Sequence, residues 1–315
     1  NLNRFSFAIA ILFSLMITSC SKEIAVPEIN ATPSVMMMEQ VLVTCQNLGS
    51  GVEATVDYGD GTAPAKVKGP FKLTHRYAKD SSRQPGGVYT ILVKAGDHVV
   101  SKEVKVYPLL ALSALTYNMS QEGYDKVLLM AHRSNTTNTK IPENSIAALE
   151  ACIPAGVEFV ETDTQITSDG HVVMSHDQTI DRCTNGRGDI TKMTLAQVKS
   201  YRLKDRDGTL TNHTIPTLEE FMQAAKGRIY VNLDYSPRSA PTLDVMRVIR
   251  QTGTMEQTLF YIEGGDKGAT KLKECLDLDS KAHVYVYRSQ YTLLPGPRYF
   301  IQVGYYPNEN PVDLS

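Results

Sequence analysis

Excess charge of either sign is what this chain most plainly lacks. Its 32 lysines and arginines nearly balance 34 aspartates and glutamates, leaving a net charge of −2 over 315 residues. No basic run breaks that balance. Proteins that track nucleic acid concentrate positive charge on one stripe or face, so no nucleic-acid footprint is present. Cysteine is scarce as well. There are five, and no two are spaced as C-x-x-C, which removes the thiolate metal sites and redox motifs built on that spacing. Cys45, Cys152, Cys183 and Cys275 are therefore expected to be free or buried thiols. The longest apolar run, Phe5 to Thr18, falls short of the ~20 residues that a membrane-spanning helix needs.

That run is informative for what precedes and follows it. Arg4 supplies the charge before the apolar core, and Ile17-Thr18-Ser19-Cys20 ends it. The pattern is that of a signal peptide. An aliphatic residue and small residues before a cysteine resemble a bacterial lipoprotein box, in which the Cys20 thiol receives a diacylglycerol. Residues 1–19 are read as the signal and 20–34 as a polar, proline-containing tether. The expected location is the bacterial cell envelope, lipid-anchored, on its periplasmic or cell-surface face.

With 42% hydrophobic residues the chain can bury a sizeable core, and its length suits two domains. From 35 to 107 the pattern is that of short strands. Ala54, Val56 and Tyr58 alternate with Thr55 and Asp57 before the turn Gly59-Asp60-Gly61, and Tyr89, Ile91 and Val93 alternate again before Gly96-Asp97. This predicts a small all-β sandwich. At "VDYGDGT" (56–62), "HRYA" (75–78) and "GVYTILV" (87–93) it resembles the polycystic-kidney-disease (PKD) repeat domain of the immunoglobulin-like class. The resemblance implies a spacer or an adhesive module that contacts a glycan or protein. Asp57 and Asp60 are read as turn caps rather than calcium ligands.

Residues 108–125 read as a partly helical linker. Beyond them the grammar changes. Apolar runs at 127–131, 157–161, 172–175, 229–234, 259–263 and 284–287 alternate with helical stretches at 144–155, 218–226, 242–251 and 268–276. A further strand is possible at 299–304. Such alternation predicts an α/β domain over 126–315 with a parallel sheet and βαβ crossovers, of the (β/α)8 TIM-type barrel class. At 190 residues it is short for that barrel, so the final strands are expected to be missing.

The segment "FVETDTQITSDGHVVMSHD" (159–177) carries the chemistry. Side chains at i and i+2 of a strand share a face. Glu161 and Asp163 thus point one way, as do Asn232 and Asp234 in "IYVNLD". Three carboxylates at one mouth would repel unless a cation joined them, and an all-oxygen donor set suits Mg²⁺ or Ca²⁺. The side-chain oxygens of Glu161, Asp163 and Asp234 are expected within about 5 Å of a common point. His132 and His176 each follow an apolar run, and two imidazoles beside such a cluster suit a general base and a general acid. Arg133 can clamp a phosphate.

The order His-Arg, Pro-Glu-Asn, Glu-x-Asp, Asp-Gly, His-Asp and Arg-x-Thr-x-Gly, running from "AHRSN" to "RCTNGRG" (131–188), resembles the glycerophosphodiester phosphodiesterase family. The likeness continues through "IPTLEEFM" (215–222) and "VNLDYSP" (231–237). It implies a (β/α)8 barrel, a divalent metal, and cleavage of a glycerophosphodiester through a cyclic glycerol phosphate. By position it implies His132 and His176 as the catalytic pair, Glu161 and Asp163 as metal ligands, and Arg133 and Glu143 as residues close to the substrate phosphate. Asp234 stands where the family usually has a glutamate ligand, Ser236 where it usually has a lysine near the phosphate, and Ser134 where it usually has glycine. The departures at Asp234 and Ser236 leave open a cell-surface binding protein with little or no turnover; a phospholipase acting on intact lipid, and a main role for the sandwich as a carbohydrate or protein adhesin, are the other readings.

Overall fold

The computed structural model describes residues 24–36, 40–77, 87–123, 128–234, 240–262, 265–287 and 299–302. Cys20 and Ser236 lie outside them.

Eight strands come first: β1 (Ile29–Ala31), β2 (Ser34–Met36), β3 (Gln40–Cys45), β4 (Glu53–Asp57), β5 (Ala65–Lys68), β6 (Phe71–Arg76), β7 (Gly87–Ala95) and β8 (His98–Tyr107). They form a three-stranded sheet, β1-β3-β6, and a five-stranded one, β2-β8-β7-β4-β5. Strict alternation sends Val41 and Val43 from the first sheet, and Val56, Ile91, Val93 and Val104 from the second, into one fully buried core. Each such aliphatic side chain contributes about 1.5–3 kcal/mol on burial. Asp57 caps the turn by accepting from Gly59 N at 2.8 Å, and Asp60 accepts from Thr62 N and Oγ1. Gly59 has φ +75, and a Cβ there would lie 2.5 Å from Thr90 O, so only glycine fits.

The segment 108–125 is more than a connector. Its helix α1 (Leu112–Met119) buries Leu112 and Leu115 against Phe159, Tyr230 and Leu259. Tyr230 Oη donates to Leu110 O at 2.9 Å. This helix closes the N-terminal end of a third sheet, of seven strands.

That sheet begins with β9 (Met130–Ala131) and β10 (Phe159–Ile166) and continues through β11 (Val172–Met174), β12 (Tyr230–Asp234), β13 (Thr258–Ile262), β14 (His283–Tyr287) and β15 (Tyr299–Gln302). Strands β9-β10-β12-β13-β14-β15 are parallel neighbours in that order. Helices α2 (Ile146–Ala155), α3 (Leu195–Lys199), α4 (Leu218–Ala225), α5 (Thr242–Thr252) and α6 (Gly265–Leu278) follow in chain order among these strands. Ser145 caps α2, and Thr217 with Glu220 forms a capping box on α4. Even-numbered Val160, Phe260, Ile262 and Val284, with Val231 and Leu233, pack against α2, α4, α5 and α6. The opposite face carries Phe159, Glu161 and Asp163 on β10, Tyr230, Asn232 and Asp234 on β12, Leu259 and Tyr261 on β13, and His283 and Tyr285 on β14.

One predicted strand has a different place. Residues 172–175, read as a member of the parallel set, form β11, an antiparallel return paired with β10 at Thr164↔Met174 and Ile166↔Val172. The turn Thr167–Gly170 is too tight for a crossover, which needs a dozen or more residues. The chain then makes an excursion with its own small core of Val173, Ile180, Ile190, Val198, Leu203 and Ile215 before α4.

The two units meet at α2. Arg76 lies 3.8 Å from Glu158, and its guanidinium covers Gly156, where a Cβ would come within 2.5 Å.

Candidate functional site

The inner face of β10 and β12 turns acidic at its C-terminal end. Register pairs Asp163 with Asp234 and Glu161 with Asn232. One ligand atom from each of Glu161, Asp163 and Asp234 lies within 4.8 Å of the others, meeting the distance expected from the sequence. Burial, then the Asp163 charge and the Asp234 charge, push Glu161 up to about 8. Its Oε2 accepts from Arg133 N at 2.7 Å, which partly offsets that strain.

The site opens into a cavity of about 340 Å³ lined by Met130, His132, Glu161, Asn232, Asp234, Tyr261 and Tyr285. The two tyrosine rings stand 5.4 Å apart. Asn232 is 1% exposed, and its Oδ1 has no hydrogen-bond partner among the described residues. An orphaned carbonyl oxygen beneath three clustered carboxylates gives an all-oxygen donor set. Those residues fit a hard divalent cation, whose charge would relieve the repulsion on Glu161.

The two histidines reach the mouth by different routes. His132 and Arg133 follow β9 in a tight 3-10 turn, with Arg133 at φ 52 and Ser134 at φ 57. His132 Nε2 stands 3.9 Å from Glu161 Oε2. Burial first, then the Arg133 charge, lower the His132 pKa, and Asp163 and Glu143 oppose them. His176 arrives because β10 overshoots the mouth and β11 comes back. Ser175 N bonds Asp163 O at 3.1 Å, so the following residue lands beside the carboxylates. Its Nδ1 is 2.6 Å from Asp177 Oδ1. Both histidines were expected at one mouth because each follows a parallel strand. For His176 the physical reason is the hairpin.

Glu143 bridges two arginines. Its Oε1 accepts from Arg133 Nη1 at 3.3 Å and from Arg182 Nη2 at 2.7 Å, and Arg182 Nε binds Asp177 Oδ2 at 2.7 Å. Arg182 first, and Arg133 with it, hold the Glu143 carboxyl below its ordinary range despite burial. A chain of charge-assisted bonds therefore runs from His176 through Asp177, Arg182, Glu143 and Arg133 to Glu161.

Asn144 was not singled out from the sequence. It takes φ 52, a conformation that asparagine tolerates better than most residues. From there its Nδ2 donates to Asp163 Oδ2 at 2.9 Å, and its Oδ1 accepts from Thr162 Oγ1 at 2.6 Å and Asp163 N at 3.3 Å. It orients a carboxylate of the cluster. Its place after Pro-Glu and before the helix-capping Ser145 was the available signal.

Residues 132–255 match the model of the Glycerophosphoryl diester phosphodiesterase family. A glycerophosphodiester phosphodiesterase of Caldanaerobacter subterraneus subsp. tengcongensis is 39% identical over 99 residues, which are 31% of this chain and 40% of that protein. Glycerophosphodiester phosphodiesterase 1 of Mus musculus is 36% identical over 102 residues, 30% of this chain and 29% of that protein. The chain thus spans well under half the length of these curated relatives. The crystal structure of a glycerophosphoryl diester phosphodiesterase from Parabacteroides distasonis ATCC 8503 superposes with a TM-score of 0.54 at 21% identity. It covers 61% of this chain and 68% of that one, which establishes a likeness of fold. The four cysteines at 45, 152, 183 and 275 are free, and burial pushes Cys152 up to about 11 and Cys275 up to about 12.

Proposed function

We propose that this protein is a metal-dependent phosphoric diester hydrolase that cleaves glycerophosphodiesters to an alcohol and glycerol phosphate. The observation that carries the reading is the meeting of Glu161, Asp163 and Asp234, with His132 3.9 Å from Glu161, inside the segment that matches the family. A divalent cation held by Glu161, Asp163 and Asp234 would supply charge neutralisation at the phosphoryl oxygens and acidify a nearby hydroxyl. Convergence of these carboxylates speaks against a barrel kept only for binding.

The residues divide the remaining work. Asn144 orients Asp163, and the Arg133 amide orients Glu161, so two ligands are fixed before any substrate arrives. Arg133, steadied by Glu143, faces the phosphate. Asp177, itself held by Arg182, fixes the His176 ring through Nδ1. The glycerol hydroxyl beside the phosphate is the nearest nucleophile. One imidazole accepts its proton and the other gives one to the departing alkoxide. Water then opens the cyclic phosphate. The full (β/α)8 closure, and Ser236 beside the phosphate, belong to this proposal. The deciding experiment is turnover of a panel of glycerophosphodiesters with and without Mg²⁺ or Ca²⁺. No turnover of any member under either ion would sink the reading.

We also propose lipid attachment through Cys20, supported by the Ile-Thr-Ser-Cys run, with the sandwich as spacer. Two acyl chains anchor stably where one does not. Cys20→Ala is expected to move the protein from the membrane to the soluble fraction, and retention in the membrane would place the anchor elsewhere.

A further inference from the structure

The sequence reads residues 20–34 as a tether, but the described part of that segment is packed on the sandwich. Pro27 and Ile29 are buried, and Ile29 opens β1. Asn47 Nδ2 donates to Val26 O at 2.9 Å, and Asn47 Oδ1 accepts from Glu28 N at 2.8 Å. Ile24 reaches the turn between β7 and β8. His98 Nε2 lies 2.8 Å from Ile24 O, and a Cβ on Gly96 would come within 2.7 Å of Ile24 Cδ1. Cys20 is four residues from Ile24, and four residues of chain span at most about 14 Å. A lipid on Cys20 would therefore hold the β7–β8 turn close to a membrane surface.

That end of the five-stranded sheet carries an open cleft of about 700 Å³. It is lined by Lys66 and Lys68 on β5, Lys94 on β7, Glu53 and Thr55 on β4, and Gly96 in the turn. Register sets Lys66 and Lys94 on either side of Thr55, two strand spacings or about 10 Å apart. None of the three lysine side chains has an ion pair or hydrogen bond among the described residues. Three lysines against one glutamate give the cleft a charge of +2, in a chain whose total is −2. Asp97, in the turn itself, is a further acid at this end. Leu92 and Val99 stand on the same outer face, 40% and 59% exposed, with Val99 directly opposite Lys94. Cationic side chains around exposed aliphatic ones suit the headgroup level of an anionic bilayer.

We propose that this end of the sandwich lies on the membrane and takes anionic lipid headgroups, with Lys66, Lys68 and Lys94 meeting their phosphates. This rests on the lipid attachment through Cys20 proposed above. The occupant is a bilayer rather than a soluble polyanion because the anchor brings this one end within reach of a surface. Attraction between exposed charges fades beyond a Debye length of about 8 Å, so only lysines held at the surface gain from it. The sandwich then does more than separate the second unit from the membrane. It fixes which side of the protein faces the lipid.

The test has two arms. In the first, the chain from Ser21 onward, without signal or acyl group, is sedimented with vesicles of phosphatidylcholine alone or mixed with phosphatidylglycerol. Binding to the mixed vesicles is expected, weakening with salt. Lys66→Gln, Lys68→Gln and Lys94→Gln are each expected to lower the partition constant about fivefold. Lys192→Gln, Lys273→Gln and Lys281→Gln change the net charge equally from exposed positions outside the sandwich, and are expected to leave binding unchanged. Equal losses from the two sets overturn the proposal. So does lysine-dependent binding of dextran sulfate with no binding of vesicles. In the second arm, the lipidated protein is acetylated by a membrane-impermeant amine reagent, in the mixed vesicles and in detergent, and mass spectrometry reads each lysine. Slower reaction of Lys66, Lys68 and Lys94 in vesicles, with Lys192 unchanged, is expected; equal rates overturn the proposal even where the first arm shows binding. The N-terminal peptide in the same spectra separates the two readings. Acylated Cys20 with an unprotected cleft keeps the anchor and removes the docking face. Unmodified Cys20 with lysine-dependent vesicle binding keeps the face and removes the anchor.

Discussion

Two of the places where the molecule holds a carboxylate and a histidine together behave in opposite ways. In the sandwich, Asp60 Oδ2 sits 2.6 Å from His75 Nε2, Oδ1 takes two bonds from Thr62, and the His75 ring stacks on Tyr58 at 3.8 Å. Every oxygen has a partner, and the Asp60 pKa is lowered although burial works against it. At the sheet mouth, Glu161 shares its space with two further carboxylates and is pushed up to about 8. The same residue types give a closed structural knot in one case and a mutually repelling cluster of carboxylates in the other. Residue identity alone does not separate a turn cap from a site; the balance of partners does.

The comparison breaks most visibly in activity. Asp163→Ala is expected to lower kcat/KM for a glycerophosphodiester by about 10³-fold or more, since metal-borne charge stabilisation amounts to several kcal/mol. Asp60→Ala is expected to leave kcat/KM unchanged. Steady-state kinetics on the two variants checks this, and equal losses would erase the distinction.

The second difference is in pH. Glu161 holds its proton more tightly folded than unfolded, so its contribution is full at low pH and is lost as pH rises from 4.5 toward about 8. Over that window the metal-free chain is expected to lose on the order of 3–5 kcal/mol, less whatever relaxation recovers. Glu161→Gln should flatten the slope, and Mg²⁺ or Ca²⁺ at pH 8 should restore stability. Asp60 has the opposite sign. Its contribution is present above its unfolded pKa and is lost as pH falls through the depressed folded value. Urea titrations across pH for Glu161→Gln and Asp60→Asn would reveal two slopes on opposite limbs. One shared slope would refute the assignment.

A smaller effect sharpens the structural half. Asp60→Ala removes charge-assisted bonds to His75 and Thr62 and is expected to cost about 1.5–3 kcal/mol, read as a shift in urea midpoint. The smallest concerns Ser134, which is fully buried at φ 57 with an Oγ that has no partner among the described residues. Ser134→Gly removes both the backbone strain and the orphaned hydroxyl, and is expected to add about 1 kcal/mol. A loss of stability there would mean that the hydroxyl has a partner after all.

Much of this was legible in the residues. Glu161 and Asp163 two apart on an apolar run, and Asp234 ending another, are enough to place three acids on one face, because strand periodicity is local. The turn roles of Asp57 and Asp60 follow from Gly59-Asp60-Gly61 for the same reason. The place of residues 172–175 was not legible. An apolar run of three or four residues is compatible with either strand direction, and only pairing distinguishes a hairpin from a crossover.

The sequence by itself determined two domains of different grammar, the faces of the strands, the acid cluster and the residues that resemble a diesterase. The tertiary structure alone decided that α1 closes the end of the sheet, that the β11 hairpin delivers His176, and that Asn144 and the Arg182–Glu143–Arg133 bridge hold the site in register. It also decided that Asp60 is paired with an imidazole while Glu161 is crowded by two further carboxylates. The physical reason is range. Face and turn are set by neighbours within a few residues, whereas burial, repulsion and hydrogen-bond satisfaction depend on groups brought together from distant positions.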